Sequence, residues 1–459
     1  MTLLHAWIDI TAGWRDAFCQ ERTAVRAIRQ GLGSLVCLGR RTITRILWAS
    51  GRQLEPWQAE YHLFGRASWD PQALFQPIVQ EALPLCKGRL VGVAMDDTKV
   101  HKTGRCIAQA FYQRDPMSPA FHANLILGLR FLQASLLVPL HKTGPFSCRA
   151  LPIRFEESSP VKRPGKRDGE DAWNEYRRQR KTHNLSTHAV AMMRGLRATL
   201  DDAGARAKVL VMALDGSFCN RTVFGAPRER TELIARTRKD AVLCLRAPKG
   251  TQRFYAKEKF TPEGVRQDPS IPWKTVKILY GGKRRKVRYK DLHEVYWQGG
   301  ARRLALRLFV VAPTPYRKRK SSKRYYRQPA YLLCTDLVHG ARDLLQIYFD
   351  RWQIEVNHRE EKDTLGVGQA QLWNPTAVPK QPPLAVAAYS ALLLAALKVF
   401  GPQRSTVYAP LPRWRKKATR PSCLDLIALL RKEMDEHPEI IEPLGIITSR
   451  TRMADAAAA

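Results

Sequence analysis

Several features common in other protein classes are missing from this chain of 459 residues. Its nine cysteines, at 19, 37, 86, 106, 148, 219, 244, 334 and 423, contain no Cys-x2-Cys pair and are odd in number. That excludes a complete disulfide framework and a zinc ribbon, and it points to a reducing compartment. The longest uncharged apolar run, Leu384 to Leu397, is Ala-rich and too short to span a bilayer, so it reads as a buried helix and no membrane partner is expected. The N-terminus, MTLLHAWIDITAGWRD, has no basic stretch leading into a long apolar core. No signal peptide is therefore expected, and the location reads as cytoplasmic. The only internal repeat is the tetrapeptide HKTG at 101–104 and 141–144, a coincidence at that length. Negative charge is also short: 41 Asp+Glu stand against 77 Lys+Arg, a formal charge of +36. Such an excess favours a polyanion by counterion release, which makes nucleic acid the expected partner and disfavours a purely small-molecule enzyme.

What is present is an ordinary foldable chain, 44% hydrophobic and 26% charged, long enough for about two to four domains. Residues 1–88 read as helical, with turn signals around Gly31, Gly33 and Gly51. Thr42 can cap a short helix, TITRILWAS, with Arg40, Arg41 and Arg45 near its start. Two readings stay open there: a helix-turn-helix element for DNA, or a helical bundle with basic edges. From Arg89 the pattern changes. RLVGVAMDDTK is a buried strand ending in Asp96 and Asp97, followed by strands over His122–Leu140 and Cys148–Phe155. A polar loop over Glu156–Asp168 leads into a helical region from Ala172 to Ala203, and KVLVMALDGSF is a second buried strand whose apolar run stops at Asp215. A helix over Arg228–Arg238 and a strand over Ala241–Pro248 complete a β-β-β-α-β-α-β succession, the order of an α/β, RNase H-like mixed-sheet core over 89–248.

About ninety residues then precede Tyr348, too many for a plain loop. Their alternating runs and the basic clusters KRRK (283–286) and YRKRKSSKRYYR (316–327) predict an inserted β-rich subdomain over 249–330. The core is expected to resume over 331–376 and to give way to a C-terminal helical region over 377–459, with helices at Pro383–Phe400 and Ser422–Met434, a basic patch RWRKK at 413–417 and an uninformative end, ADAAAA.

The stretch that organises this layout is YFDRWQIEVNHREEK, Tyr348 to Lys362. It holds no Pro or Gly and follows a strand over Tyr331–Leu337, so it reads as one helix. At about 100° per residue, Tyr348, Arg351, Glu355 and Lys362 fall within roughly 60° of one another and form a stripe. Leu345, Phe349, Trp352 and Val356 flank it as an apolar edge, which makes packing the expected role of Trp352. Asp350, Gln353, Asn357 and Glu361 are expected on the far, solvated side. Taken alone, such a stripe is equally well salt-bridge decoration of a surface helix.

Tyr-x2-Arg-x3-Glu-x6-Lys, intact here as Tyr348, Arg351, Glu355 and Lys362, resembles the signature of bacterial insertion-sequence transposases, the cut-and-paste DD-E enzymes with an RNase H-like core. The string YxxRWxIE is similar to that group as well. The resemblance implies a DNA transposase that binds inverted element ends, cleaves DNA and joins the freed 3′ hydroxyls to target DNA, as a homodimer holding two ends. It implies three acids, one from the Asp96/Asp97 pair, Asp215 and Glu355, holding two Mg2+ ions, with Mn2+ able to substitute. Tyr348, Arg351 and Lys362 would then touch the phosphates of the element end, and Trp352 and Trp373 are candidates for stacking on a displaced base. Such chemistry needs an activated oxygen and a stabilised leaving oxygen across phosphorus, which two ions about 3.5–4 Å apart supply and hard carboxylates hold. Asp-x-Thr spacing selects Asp96 and the Asp-Thr dipeptide selects Asp97; turn chemistry is the alternative reading of Asp215. A DNA-binding protein on this fold that has lost cleavage, or a structure-specific nuclease without strand transfer, are the competing functions.

Overall fold

The computed structural model describes residues 1–115, 118–119, 121–140, 147–319, 321–415 and 417–447. The second HKTG and the ADAAAA end lie outside the described residues.

Five N-terminal helices, α1 (Leu3–Ala12), α2 (Glu21–Val36), α3 (Ile43–Ala49), α4 (Gln58–Gly65) and α5 (Gln76–Ala82), form one flank. Thr42 accepts from the Arg45 amide at 3.3 Å and starts α3 as expected. Ile43, Ile46 and Leu47 of α3 face inward while Thr44, Arg45 and Trp48 face out. The indole N–H of buried Trp7 donates to the Ala388 carbonyl at 3.1 Å, which fixes α1 along a long C-terminal helix.

The sheet comprises β1 (Leu90–His101), β2 (Phe111–Arg114), β3 (Leu125–Pro139), β4 (Cys148–Glu157), β5 (Val209–Leu214), β6 (Thr231–Arg236), β7 (Lys274–Tyr280), β8 (Lys283–Tyr296), β9 (Ala305–Val311) and β12 (Ala330–Cys334); β10 (Pro315–Tyr316) and β11 (Tyr325–Tyr326) make a separate two-stranded arm. The ten-stranded sheet runs β2-β3-β1-β5-β6-β12-β9-β8-β7, with β4 on the far edge of β3. β1, β5 and β6 are parallel neighbours, and antiparallel partners lie on either side. Central strands buried on both faces need continuous apolar runs, which β1 and β5 supply. This is a mixed-sheet α/β architecture consistent with the expected RNase H-like class.

Three local expectations differ from the structure. The helical stretch from Ala172 is two helices, α6 (Glu170–Thr182) and α7 (Leu185–Leu200), because Asn184 opens a new capping box with Thr187. The helix expected over Arg228–Arg238 is instead strand β6; its buried Leu233, Ile234 and Ala235 complete the sheet beside β5, and the short α8 (Arg221–Phe224) makes the crossover. Ala241–Pro248 contributes only isolated bridges, with Val242 and Leu245 exposed. Within 249–330 the expected strands are present as β7, β8 and β9, accompanied by the small α9 (Pro262–Gln267) and α10 (Gln298–Ala301), and β9 pairs β12, so the core sheet continues into them.

α11 (Ala341–Asp350) and α12 (Gln353–Arg359) cross this sheet, and α13 (Gln381–Phe400) and α14 (Cys423–Glu436) close the C-terminal side. α13 is long and apolar enough to cross a membrane, but 78% of its apolar window is buried inside the fold, in keeping with the core helix expected there.

Candidate active site

The stretch from Tyr348 to Lys362 is helical throughout, as expected, with two irregularities: α11 passes into α12 across Arg351 and Trp352, both still in the right-handed helical region, and Glu360–Thr364 is wound as π-helix. The far side expected to face water is instead packed against other elements. Asp350 is 9% exposed, Asn357 3% and Glu361 1%. Trp352, expected to pack, is 58% exposed, and Trp373 is 71% exposed.

The sheet brings the two aspartate segments together. β1 and β5 pair in parallel with Met95 opposite Leu214, so the next residues, Asp96 within β1 and Asp215 just past the end of β5, stand at the same level on neighbouring strands. Asp215 also does the work of a turn residue: its Oδ1 accepts from the Ser217 amide at 2.8 Å and the Ser217 hydroxyl at 2.6 Å. α12 docks beside this strand end. Arg351, at the turn before it, sets Nη1 at 3.2 Å from Asp96 Oδ2 and at 3.9 Å from Glu355 Oε1, so one guanidinium bridges a strand acid and the helix acid.

The groups shape one another electrostatically. Burial pushes the Asp96 carboxyl up to about 7; nearby Asp215, Glu355 and Asp97 add to the rise and Arg351 opposes it. Burial likewise raises Asp97, opposed mainly by Arg130. Successive strand residues face opposite sides of a sheet, and the two neighbours divide accordingly: Asp96 meets Arg351 and Asp97 meets Arg130. Burial raises the Tyr348 phenol, with Arg351, Arg236 and Asp215 close enough to act on it. Lys362 is lowered by burial and supported by Glu361, Glu355, Asp363 and Asp96. Arg351 thus touches Asp96 and Glu355 directly, while Tyr348 and Lys362 lie near enough to feel the charge of Asp215 and of Asp96 and Glu355 respectively.

Among the described residues, no three His, Cys, Asp or Glu side chains stand close enough to share a metal ion. The Arg351 guanidinium lies between two of the acids that would do so. The donor set nonetheless suits a hard divalent cation: carboxylate oxygens of like charge, one of them held up to about 7 by burial and by its acidic neighbours, are what such a cation relieves.

Sequence reading did not single out Arg130, Arg236 or Lys102. The alternation of β3 points Arg130 toward Asp97, and Arg236 ends β6 at the rim of a 1340 Å³ cleft lined also by Gly216, Arg238, Lys239 and Trp297. Buried Lys102 donates to the carbonyls of Gly368 and Ala370 at 2.7 and 2.8 Å, pinning the segment after the π-turn to the end of β1. No local motif marks these three, since each gains its place through pairing with a distant segment.

No curated protein matches the chain. Residues 20–304, well over half the chain, match the family described as DDE superfamily endonuclease, a span that includes Asp96, Asp97 and Asp215 and ends before Glu355. The chain belongs to the DDE superfamily endonucleases.

Proposed function

We propose that this endonuclease is an insertion-sequence transposase of the Tyr-Arg-Glu-Lys type: it binds inverted element ends, breaks a phosphodiester bond at each and transfers the freed strand to target DNA. The observation that supports this reading is the convergence of Asp96 and Asp215, one residue beyond paired positions of β1 and β5, with Glu355 of α12 joined to Asp96 through the Arg351 guanidinium. Asp96, Asp215 and Glu355 are the residues to hold divalent ions, Mg2+ or Mn2+. When bound, such ions supply the positive charge that the attacking and leaving oxygens of phosphoryl transfer require. Asp97, turned toward Arg130, supports the strand end and is not the ligand of first choice.

The protein residues do the rest. Arg351 offers a planar fork for a phosphate and Lys362 a point charge, while the Tyr348 phenol borders the same space. Trp352, freed from packing, stands ready to stack on an unpaired base. Arg236, Arg238 and Lys239 along the cleft beside Gly216 follow the DNA flank. A homodimer holding two ends, in the cytoplasm, completes the reading.

The alternative is a protein that binds ends without cutting them. A labelled end fragment incubated with Mg2+ or Mn2+ separates the two: wild type is expected to nick it and Glu355→Gln to shift it without nicking. Equal cutting by Glu355→Gln removes Glu355 from the mechanism, and a wild type that shifts but never nicks establishes the non-cutting binder. Products joined to a target plasmid distinguish a transposase from a nuclease that stops at cleavage.

A further inference from the structure

Glu355 sits in a helical run that is irregular on both sides of it, at the Arg351–Trp352 junction and in the π-wound Glu360–Thr364, so what α12 is bonded to bears on where its carboxylate points. The inward face of α12 carries one fully buried apolar anchor, Ile354, and then Asn357, which is 3% exposed and in contact with three other elements. Its Oδ1 accepts from Ser135 of β3 at 3.1 Å, and its Nδ2 lies 3.2 Å from the Ala150 carbonyl of β4 and 3.1 Å from the Tyr389 hydroxyl of α13. Tyr389 in turn donates to Glu360.

The chain of contacts reaches back to the strand acid. Ser135 also accepts from Gln133 Nε2 at 3.1 Å, and Gln133 stands directly opposite Asp96 in the β1–β3 register. Gln133, Ser135 and Tyr389 are 0% exposed. Burying amides and hydroxyls beneath a helix is costly where apolar packing would serve, unless their directional bonds set a geometry that apolar side chains cannot.

We propose that Asn357, through Ser135 and Gln133, is a positioning residue that sets the rotation of α12 and so the placement of the Glu355 carboxylate relative to Asp96. The inference rests on the role given to Glu355 above. Asn357 touches neither DNA nor the reacting phosphate; it acts through the helix that bears the acid.

Asn357→Leu keeps the volume and removes the directional bonds. With a labelled end fragment and Mn2+, its single-turnover cutting is expected to fall by about 10- to 100-fold, the scale of a misplacement near 1 Å. The Kd for the fragment should stay unchanged, and the Mn2+ concentration for half-maximal cutting should rise. Ser390→Ala serves as the control for mere loss of stability, since it removes another buried hydrogen bond, to the Pro152 carbonyl, on the same α13–β4 contact. It is expected to cut at the wild-type rate with the wild-type Mn2+ dependence. If Asn357→Leu does not fold, Ser135→Ala is read in its place, with the same direction expected. Wild-type cutting and Mn2+ dependence in the folded variant, alongside an inactive Glu355→Gln, would overturn the positioning role. Cutting by Glu355→Gln itself would instead remove the reading on which it rests.

Discussion

Two regions of the central sheet treat charge in opposite ways. In its middle, around Asp96 of β1 and the end of β5, charges of both signs are buried or half-buried and interlocked, with Arg351 bridging Asp96 and Glu355 and Asp97 set toward Arg130. At the β7 edge, the outward face of the β7–β8 hairpin is of one sign. Lys277 lies directly opposite Lys286 and Thr275 opposite Arg288, with Arg284 nearby, all exposed. Charges in the first region have meaning only through their neighbours, so removing one should alter the whole site. Those in the second act in parallel, each adding a small increment to the attraction of a polyanion.

The largest effect expected is in the first region. If Asp96 rather than Asp97 is the strand acid of the site, Asp96→Asn should abolish end cutting as Glu355→Gln does, while Asp97→Asn keeps most of it. Cleavage assays with fragment binding measured in parallel decide this, and the reverse pattern would exchange the two roles.

Next in size is a backbone effect. Gly368 has φ +90°, and a Cβ there would stand 1.8 Å from Val100 Cγ1, on the strand that carries Asp96. Gly368→Ala should destabilise the fold by roughly 2 kcal/mol or more, the cost of a forced left-handed conformation plus the clash. Denaturant unfolding measures it, and cutting should weaken with it as the segment held by Lys102 lifts from β1.

How much of this was legible in the sequence depends on how each residue is held. Asp96 and Asp215 could be read because an apolar run that stops at an acid is a local pattern, and the continuous runs of β1 and β5 mark them as central strands. The choice between Asp96 and Asp97 could not be read, because facing is decided by register with β3 and β5. Glu355 is legible through its spacing and its helix through the lack of Pro and Gly, but the irregularity at Arg351–Trp352 and the π-winding of Glu360–Thr364 carry no local mark. Asn357, Asp350 and Glu361 were placed in solvent because a helical wheel assumes one buried face, whereas α12 meets β3 and β4 on one side and Tyr389 of α13 on another. The strands of 249–330 were readable as strands, but their continuity with the core is not, since β9 meets β12 only after the intervening arm.

A gentler probe of the buried region is pH. Asp350, at the end of α11, is pushed up to about 7 by burial, against the help of hydrogen bonds from Ser147, Gln346 and Cys148. An acid whose folded pKa is raised binds its proton more tightly when folded. Its contribution to stability is therefore full below the ordinary value of 3.8 and is lost as pH rises to about 7. Asp350→Asn cannot ionise and should lack this loss, so its Tm should gain on that of wild type between about pH 4 and about pH 7. Asp96, raised to about 7, and Glu361, raised to about 8, both chiefly by burial, leave both proteins a residual slope of the same sign. A constant gap in Tm would show that Asp350 ionises normally in the folded chain.

The smallest effect is expected at the cationic edge, and its sign differs with and without DNA. Lys277 and Lys286 are cross-strand neighbours of like charge, an arrangement that costs a two-stranded edge about 0.2–1 kcal/mol. Lys286→Ala should therefore stabilise the free protein slightly, a gain that shrinks with added salt because both groups are exposed. On duplex DNA the same change should weaken binding across unrelated sequences and reduce the slope of log affinity against log salt by about one. Stabilisation without loss of duplex affinity would mean that this face does not meet DNA. Loss of affinity confined to one sequence would mean that Lys286 reads bases, which a repelling pair on a flat exposed ladder is poorly placed to do.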